Sequence, residues 1–138
     1  PYAEKAKAAV EGRRNIWVGP FIKEMEYAYS AADILVSRAG AMAIAEITVM
    51  NKPAVFVPFP YAAEDHQTAN ARNMEVHNAG IMIADAKAKT NLIPVVIALA
   101  KDEKRQQEIK EQAAKLSVLN ADETIASAIL AELEKGNS

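Results

Sequence analysis

The sequence contains no cysteine, only two histidines and one tryptophan. Without cysteine there is no disulfide framework, no thiolate metal site and no thiol nucleophile, and a reducing compartment such as the cytoplasm is expected. His66 and His77 stand eleven positions apart, too few ligands and too far apart for a metal centre, so neither metal nor cofactor is expected. No apolar run approaches the roughly 20 residues that span a bilayer, and no signal-peptide pattern opens the chain. Charge is scarce in net terms: 16 Lys+Arg against 18 Asp+Glu give −2, which provides no global attraction to nucleic acid. Glycine is rare as well, with five in 138 residues, and no repeat or low-complexity linker divides the chain.

What is present is a globular composition, 51% hydrophobic and 25% charged, sufficient for one domain with a real core. Residues 3–11 read as a helix stopped by Gly12. "NIWV" (15–18) then reads as a short strand broken by Gly19-Pro20. "IKEMEYAYSAAD" has Ile22, Met25, Tyr29 and Ala32 at helical spacing. "ILVS" (34–37), "AVFVPF" (54–59) and "IMIA" (81–84) are near-continuous apolar runs, the pattern of strands buried on both faces. Helices separate them: 41–51 after Gly40, ended by Lys52-Pro53, and a second after "PYAAED", closed at Gly80. The last third reads as helical, with Thr90 or Asn91 capping a helix that has Pro94 in its first turn. A charged helix over 101–116 follows, and another opens at Asp122 or Glu123. The alternation predicts an α/β fold, a Rossmann-like parallel sheet with flanking helices, whose ligands gather where strands pass into helices.

Three stretches fall at that edge. In "SRAGAMAIAE", Gly40 is expected to make a turn closed to other residues, leaving the N–H groups of Ala41, Met42 and Ala43 open to an anion such as phosphate. Arg38 could neutralise that anion or lie over the sheet edge. Glu46, about 8 Å along the helix, can accept both hydroxyls of a ribose or be a solvated glutamate. In "EDHQTAN", Asp65 is the expected N-cap, and His66, Gln67 and Asn70 share one face of the first turn, where amides can read sugar hydroxyls or simply face water. In "GPFI", backbone groups beside Phe21 and Ile22 can pair with the edge of a base.

Together, "FIKEMEYAYSAADILVSRAGAMAIAEI" and "KPAVFVPFPYAAEDHQTANA" resemble the C-terminal domain of the MurG family, two-domain GT-B glycosyltransferases of bacterial cell-wall synthesis. The resemblance covers nearly the whole chain and rests on R-[AS]-G-A-x-x-x-x-E and D-H-Q-x-x-N. It implies that Ile22, next to Phe21, pairs with uracil, that Gly40, Ala41 and Met42 meet the diphosphate, that Glu46 holds the ribose, and that His66, Gln67 and Asn70 contact the N-acetylglucosamine of the donor, UDP-N-acetylglucosamine. Relatives often carry threonine where this chain has Ala43, so a hydroxyl contact to phosphate is lost. The resemblance further implies that residues 1–138 are one partial donor-binding domain, and that lipid I binds an N-terminal domain outside them. The start at Pro1, without an initiator methionine, reads as that of a fragment. No catalytic residue is expected within these residues, and the whole enzyme would work at the cytoplasmic face of the membrane. Two other readings are a non-catalytic interaction module, pairing as a homodimer through an exposed sheet edge, and the donor domain of another nucleotide-sugar enzyme.

Overall fold

The computed structural model describes residues 2–61 and 65–117. The expected helix opening at Asp122 or Glu123 lies outside them. By contacts along the chain, two compact units separate, Pro1–Ala31 and Ala32–Ser138.

The first unit carries α1 (Tyr2–Ala9) and α2 (Met25–Ala31). The strand expected over 15–18 does not form: residues 16–19 have no regular secondary structure. β-propensity reports only that a segment suits a half-buried pleated surface, and a strand exists only where a neighbour supplies its ladder. Trp17 is 70% exposed, so its bulk finds no such surface among the described residues.

The second unit holds β1 (Leu35–Ser37), α3 (Ala41–Met50), β2 (Ala54–Phe56), α4 (His66–Val76), β3 (Ile81–Met82), α5 (Asp85–Lys101) and α6 (103–117). The strands are parallel in the order β1-β2-β3, with Val36 opposite Val55 and Val55 opposite Ile81. The central strand β2 is buried at every position, as its unbroken apolar run requires. Successive side chains of a strand face opposite sides. Val55 and Val57 accordingly join Ile83, Leu99 and Ile109 in one core, onto which Leu92, Val95 and Val96 of α5 pack.

The strands are shorter than the apolar runs that announced them, β2 ending at Phe56 rather than Phe59 and β3 at Met82 rather than Ala84, and α2 covers only Met25–Ala31 of its helical pattern. Three helix boundaries also differ from the sequence expectation. α5 begins at Asp85, not at Thr90 or Asn91, because the helix runs through Pro94. Proline removes the N–H that would bond the Thr90 carbonyl and crowds that carbonyl with its ring; Thr90 is exposed, so the oxygen can turn outward to water. α6 is set off from α5 at Asp102, whose Oδ1 accepts the Arg105 N–H at 3.0 Å as an N-cap. Gly80 does not close α4. The left-handed residue there is Asn78, with φ 55°, while a Cβ at Gly80 would come within 2.8 Å of the Phe56 ring. Phe56 is fully buried, and Gly80 is needed for that close approach.

Candidate functional site

All three strands end at one edge, and each passes into a helix there. The Arg38–Gly40 turn leads from β1 into α3. Its Gly40 has φ −66° and ψ 150°, a conformation open to any residue, and among the described residues an added Cβ would meet only Gln67 Nε2, at 3.8 Å. The expectation that Gly40 makes a turn closed to other residues is therefore corrected: what the missing side chain leaves is space. The first intrahelical bond runs from Ile44 N–H to the Gly40 carbonyl at 3.0 Å, and α3 has no side-chain cap. The N–H groups of Ala41, Met42 and Ala43 precede any helical acceptor and form a concentrated positive end. Met42 is 78% exposed, and Glu46, four residues on, lies on the same exposed stripe.

α4 holds that turn in place. Ala39 is fully buried, so its peptide groups need partners inside the protein. Gln67 Oε1 accepts the Ala39 N–H at 3.1 Å, and Asn70 Nδ2 donates to the Ala39 carbonyl at 3.1 Å. The same Gln67 oxygen accepts the Phe59 N–H at 2.9 Å, joining the loop after β2 to the loop after β1. Asp65 occupies the N-cap position of α4 but does not cap it. It is left-handed, with φ 55°, and its Oδ1 accepts the Thr68 hydroxyl at 2.7 Å. His66 is exposed at the first position of the helix.

Arg38 ties in the third loop. Its Nη1 donates to Asp85 Oδ1 at 2.6 Å and to the Val57 and Pro58 carbonyls at 3.3 and 3.4 Å. The guanidinium also stands 5.5 Å over the Phe59 ring, and Phe59 meets Tyr61 edge to face. Charge on Arg38 is thus balanced within the protein by Asp85, whose position at the start of α5 is itself favourable for a carboxylate. Sequence reasoning missed Ala39, Phe59 and Asp85. Asp85 directly follows an apolar strand, a usable signal of a helix start that the later threonine and proline obscured.

Gly40, Ala41, Met42, Gln67 and Asn70 are brought together, with Arg38 on the same turn as Gly40 and Glu46 and His66 exposed on α3 and α4. Phe21 and Ile22 belong to the first unit, where they line an open depression of about 700 Å³ with Trp17 and Tyr27. In the second unit a groove of about 400 Å³ runs between α3 and α4, lined by Ala41, Ala45, Thr48, Asn70 and Asn73. Among the described residues no three His, Asp or Glu side chains cluster to hold a metal. The chemistry on offer is hydrogen-bond donation to an anion, with polar side chains beside it.

Residues 2–125 match the glycosyltransferase family 28 C-terminal domain model. The chain is 41% identical over 116 residues, 84% of its length, to the UDP-N-acetylglucosamine–N-acetylmuramyl-(pentapeptide) pyrophosphoryl-undecaprenol N-acetylglucosamine transferase of Amoebophilus asiaticus, of which it covers 32%. To the protein of the same name from Bacteroides thetaiotaomicron it is 36% identical over 137 residues, 99% of this chain and 37% of the relative. The crystal structure of Acinetobacter baumannii MurG superposes with a TM-score of 0.68 at 30% identity, over 80% of this chain and 33% of that one. The chain therefore spans about a third of the length of these relatives.

Proposed function

Because the chain belongs to the glycosyltransferase family 28 C-terminal domain family, we propose that it is the donor-binding part of an inverting hexosyltransferase that moves N-acetylglucosamine from UDP-N-acetylglucosamine to lipid I, giving lipid II for peptidoglycan. The observation that carries this reading is the open start of α3 at the carboxyl edge of the sheet, without a side-chain cap. In that reading the N–H groups of Ala41 and Met42 bind the diphosphate beside Gly40, and Glu46 takes the ribose hydroxyls about 8 Å further along the helix. His66, Gln67 and Asn70 face the N-acetylglucosamine, while Phe21 and Ile22 receive the uracil. Arg38 acts through the loops it ties rather than as a bare countercharge, since Asp85 neutralises it.

The transfer breaks the bond from the sugar C1 to the phosphate oxygen as the acceptor hydroxyl forms a new bond to C1 from the opposite side. UDP leaves with the electron pair, and the α3 amides stabilise its growing negative charge. Removal of the acceptor proton falls to a group outside this chain, as does binding of lipid I, so the chain alone binds donor without turnover. No helix among the described residues is long and apolar enough to cross a membrane, and the proposed enzyme sits at the cytoplasmic membrane face as a peripheral protein. Calorimetric titration with UDP-N-acetylglucosamine tests the reading. Glu46→Ala should weaken binding about tenfold or more, as expected for hydrogen bonds to a charged group; equal affinity of the variant would remove the ribose assignment.

A second reading is favoured by one observation: among the described residues β1 is an edge strand, with Val36 47% exposed. Pairing of two copies through that edge would give a homodimer. Light scattering that shows only monomer at high concentration refutes it.

A further inference from the structure

We propose that the outward face of α5 is a docking surface for an anionic lipid bilayer, which deepens the peripheral-membrane reading above and rests on it. α5 packs Leu92, Val95 and Val96 onto the core that contains Leu99. At about 3.6 residues per turn, the opposite side gathers Ala86, Ile93, Ile97 and Ala100 into one stripe along the helix. All four are exposed, the two isoleucines by 64% and 49%. A helix on a globular domain ordinarily turns polar residues to that side. The middle of α5 is instead apolar on both sides, and the core of the second unit uses only one of them.

Charge identifies what covers the other. Lys89 flanks the stripe on one side, Lys87 and Lys101 on the other, and all three are exposed. The one carboxylate within α5, Asp85, is bound to Arg38 at 2.6 Å, and Asp102, just past the helix, accepts the Arg105 N–H. The exposed arc of α5 from residue 86 to 101 thus carries cations and no acid, although the chain as a whole has a net charge of −2. An apolar ridge edged by lysines matches the boundary of an anionic bilayer. The isoleucines enter the outer acyl region, while the lysine stems lie along it and their ammonium groups reach lipid phosphates. A single helix is also convex, which suits a soft headgroup layer and offers no recess to anchor the side chain of a protein partner.

Co-sedimentation of the chain with vesicles tests the surface. Binding should be saturable on equal parts of phosphatidylglycerol and phosphatidylcholine, be lost on phosphatidylcholine alone, and weaken as salt is raised. The double variant Ile93→Ser, Ile97→Ser should bind at least about tenfold more weakly, from the apolar area no longer buried, with its urea midpoint little changed because both side chains are exposed. Each of Lys87→Gln, Lys89→Gln and Lys101→Gln should cost about fivefold. No binding of the parent chain to the anionic vesicles overturns the proposal. Undiminished binding of the serine variant overturns α5 as the surface while leaving a peripheral protein that docks elsewhere. Should that variant not fold, undiminished binding of the triple lysine variant overturns it equally. If light scattering shows a dimer that the serine variant converts to monomer, the stripe pairs with a second copy and the lipid assignment fails. None of these outcomes touches the donor-site reading, which titration with UDP-N-acetylglucosamine decides by itself.

Discussion

Replacing Gly40 by serine sets stability against binding at one atom. Gly40 already has the extended φ and ψ of an N-cap residue, and its added Cβ would make an ordinary contact, 3.8 Å from Gln67 Nε2. No strain opposes the change. Serine at an N-cap is favoured over glycine by a few tenths of a kcal/mol, and loss of glycine's freedom in the unfolded chain contributes about 0.4–1 kcal/mol more. Gly40→Ser should therefore stabilise the protein by about 1 kcal/mol, a rise in melting temperature of roughly 2–5 °C for a chain of this size. The stabilising bond would run from the Met42 or Ala43 N–H to the new hydroxyl, which then occupies the helix end proposed for the diphosphate. Affinity for UDP should fall about tenfold, since a hydrogen bond to a charged ligand is replaced by one within the protein. Urea unfolding and calorimetric titration of the same two proteins measure both effects. Destabilisation by more than about 1 kcal/mol would refute the N-cap geometry. Stabilisation with undiminished affinity would show that the amides opening α3 do not bind the donor.

Gly80→Ala forces a Cβ to within 2.8 Å of the fully buried Phe56 ring and should cost about 1–3 kcal/mol by denaturant unfolding; a neutral result would mean that the ring can shift. The Arg38–Asp85 pair is partly solvated, with side chains 51% and 38% exposed. A double-mutant cycle with Arg38→Met and Asp85→Asn should give a coupling of only about 0.5–1 kcal/mol, smaller at 1 M salt. A coupling that salt does not change would contradict a solvated ion pair.

Much of the fold was legible in the residues themselves. The unbroken apolar run at β2 requires burial on both faces, and the Pro53 that follows Lys52 limits α3, which ends at Met50 with Asn51 in the left-handed conformation. These are local effects of hydrophobic period and backbone stereochemistry, acting within a few residues. They also placed Gly40, Gln67 and Asn70 at the edge where the strands end. The reason for Gly40 was misread, because a strand-to-helix glycine looks the same in sequence whether it supplies a turn or leaves room.

Tertiary contact decided the rest. "NIWV" has strand propensity yet no ladder partner among the described residues, and pairing is a property of two segments. Thr90 and Pro94 resemble a helix start, but α5 had already begun at Asp85, where packing of Leu92, Val95 and Val96 on the sheet outweighs one lost hydrogen bond. The alternation of strands and helices and the chemical types at the site's edge follow from the residues alone, since they depend on side-chain period and local conformation. Which groups Gln67, Asn70 and Arg38 serve was decided only by the folded chain, because their partners at Ala39, Phe59 and Asp85 are brought within hydrogen-bond range by the sheet that aligns the three loops.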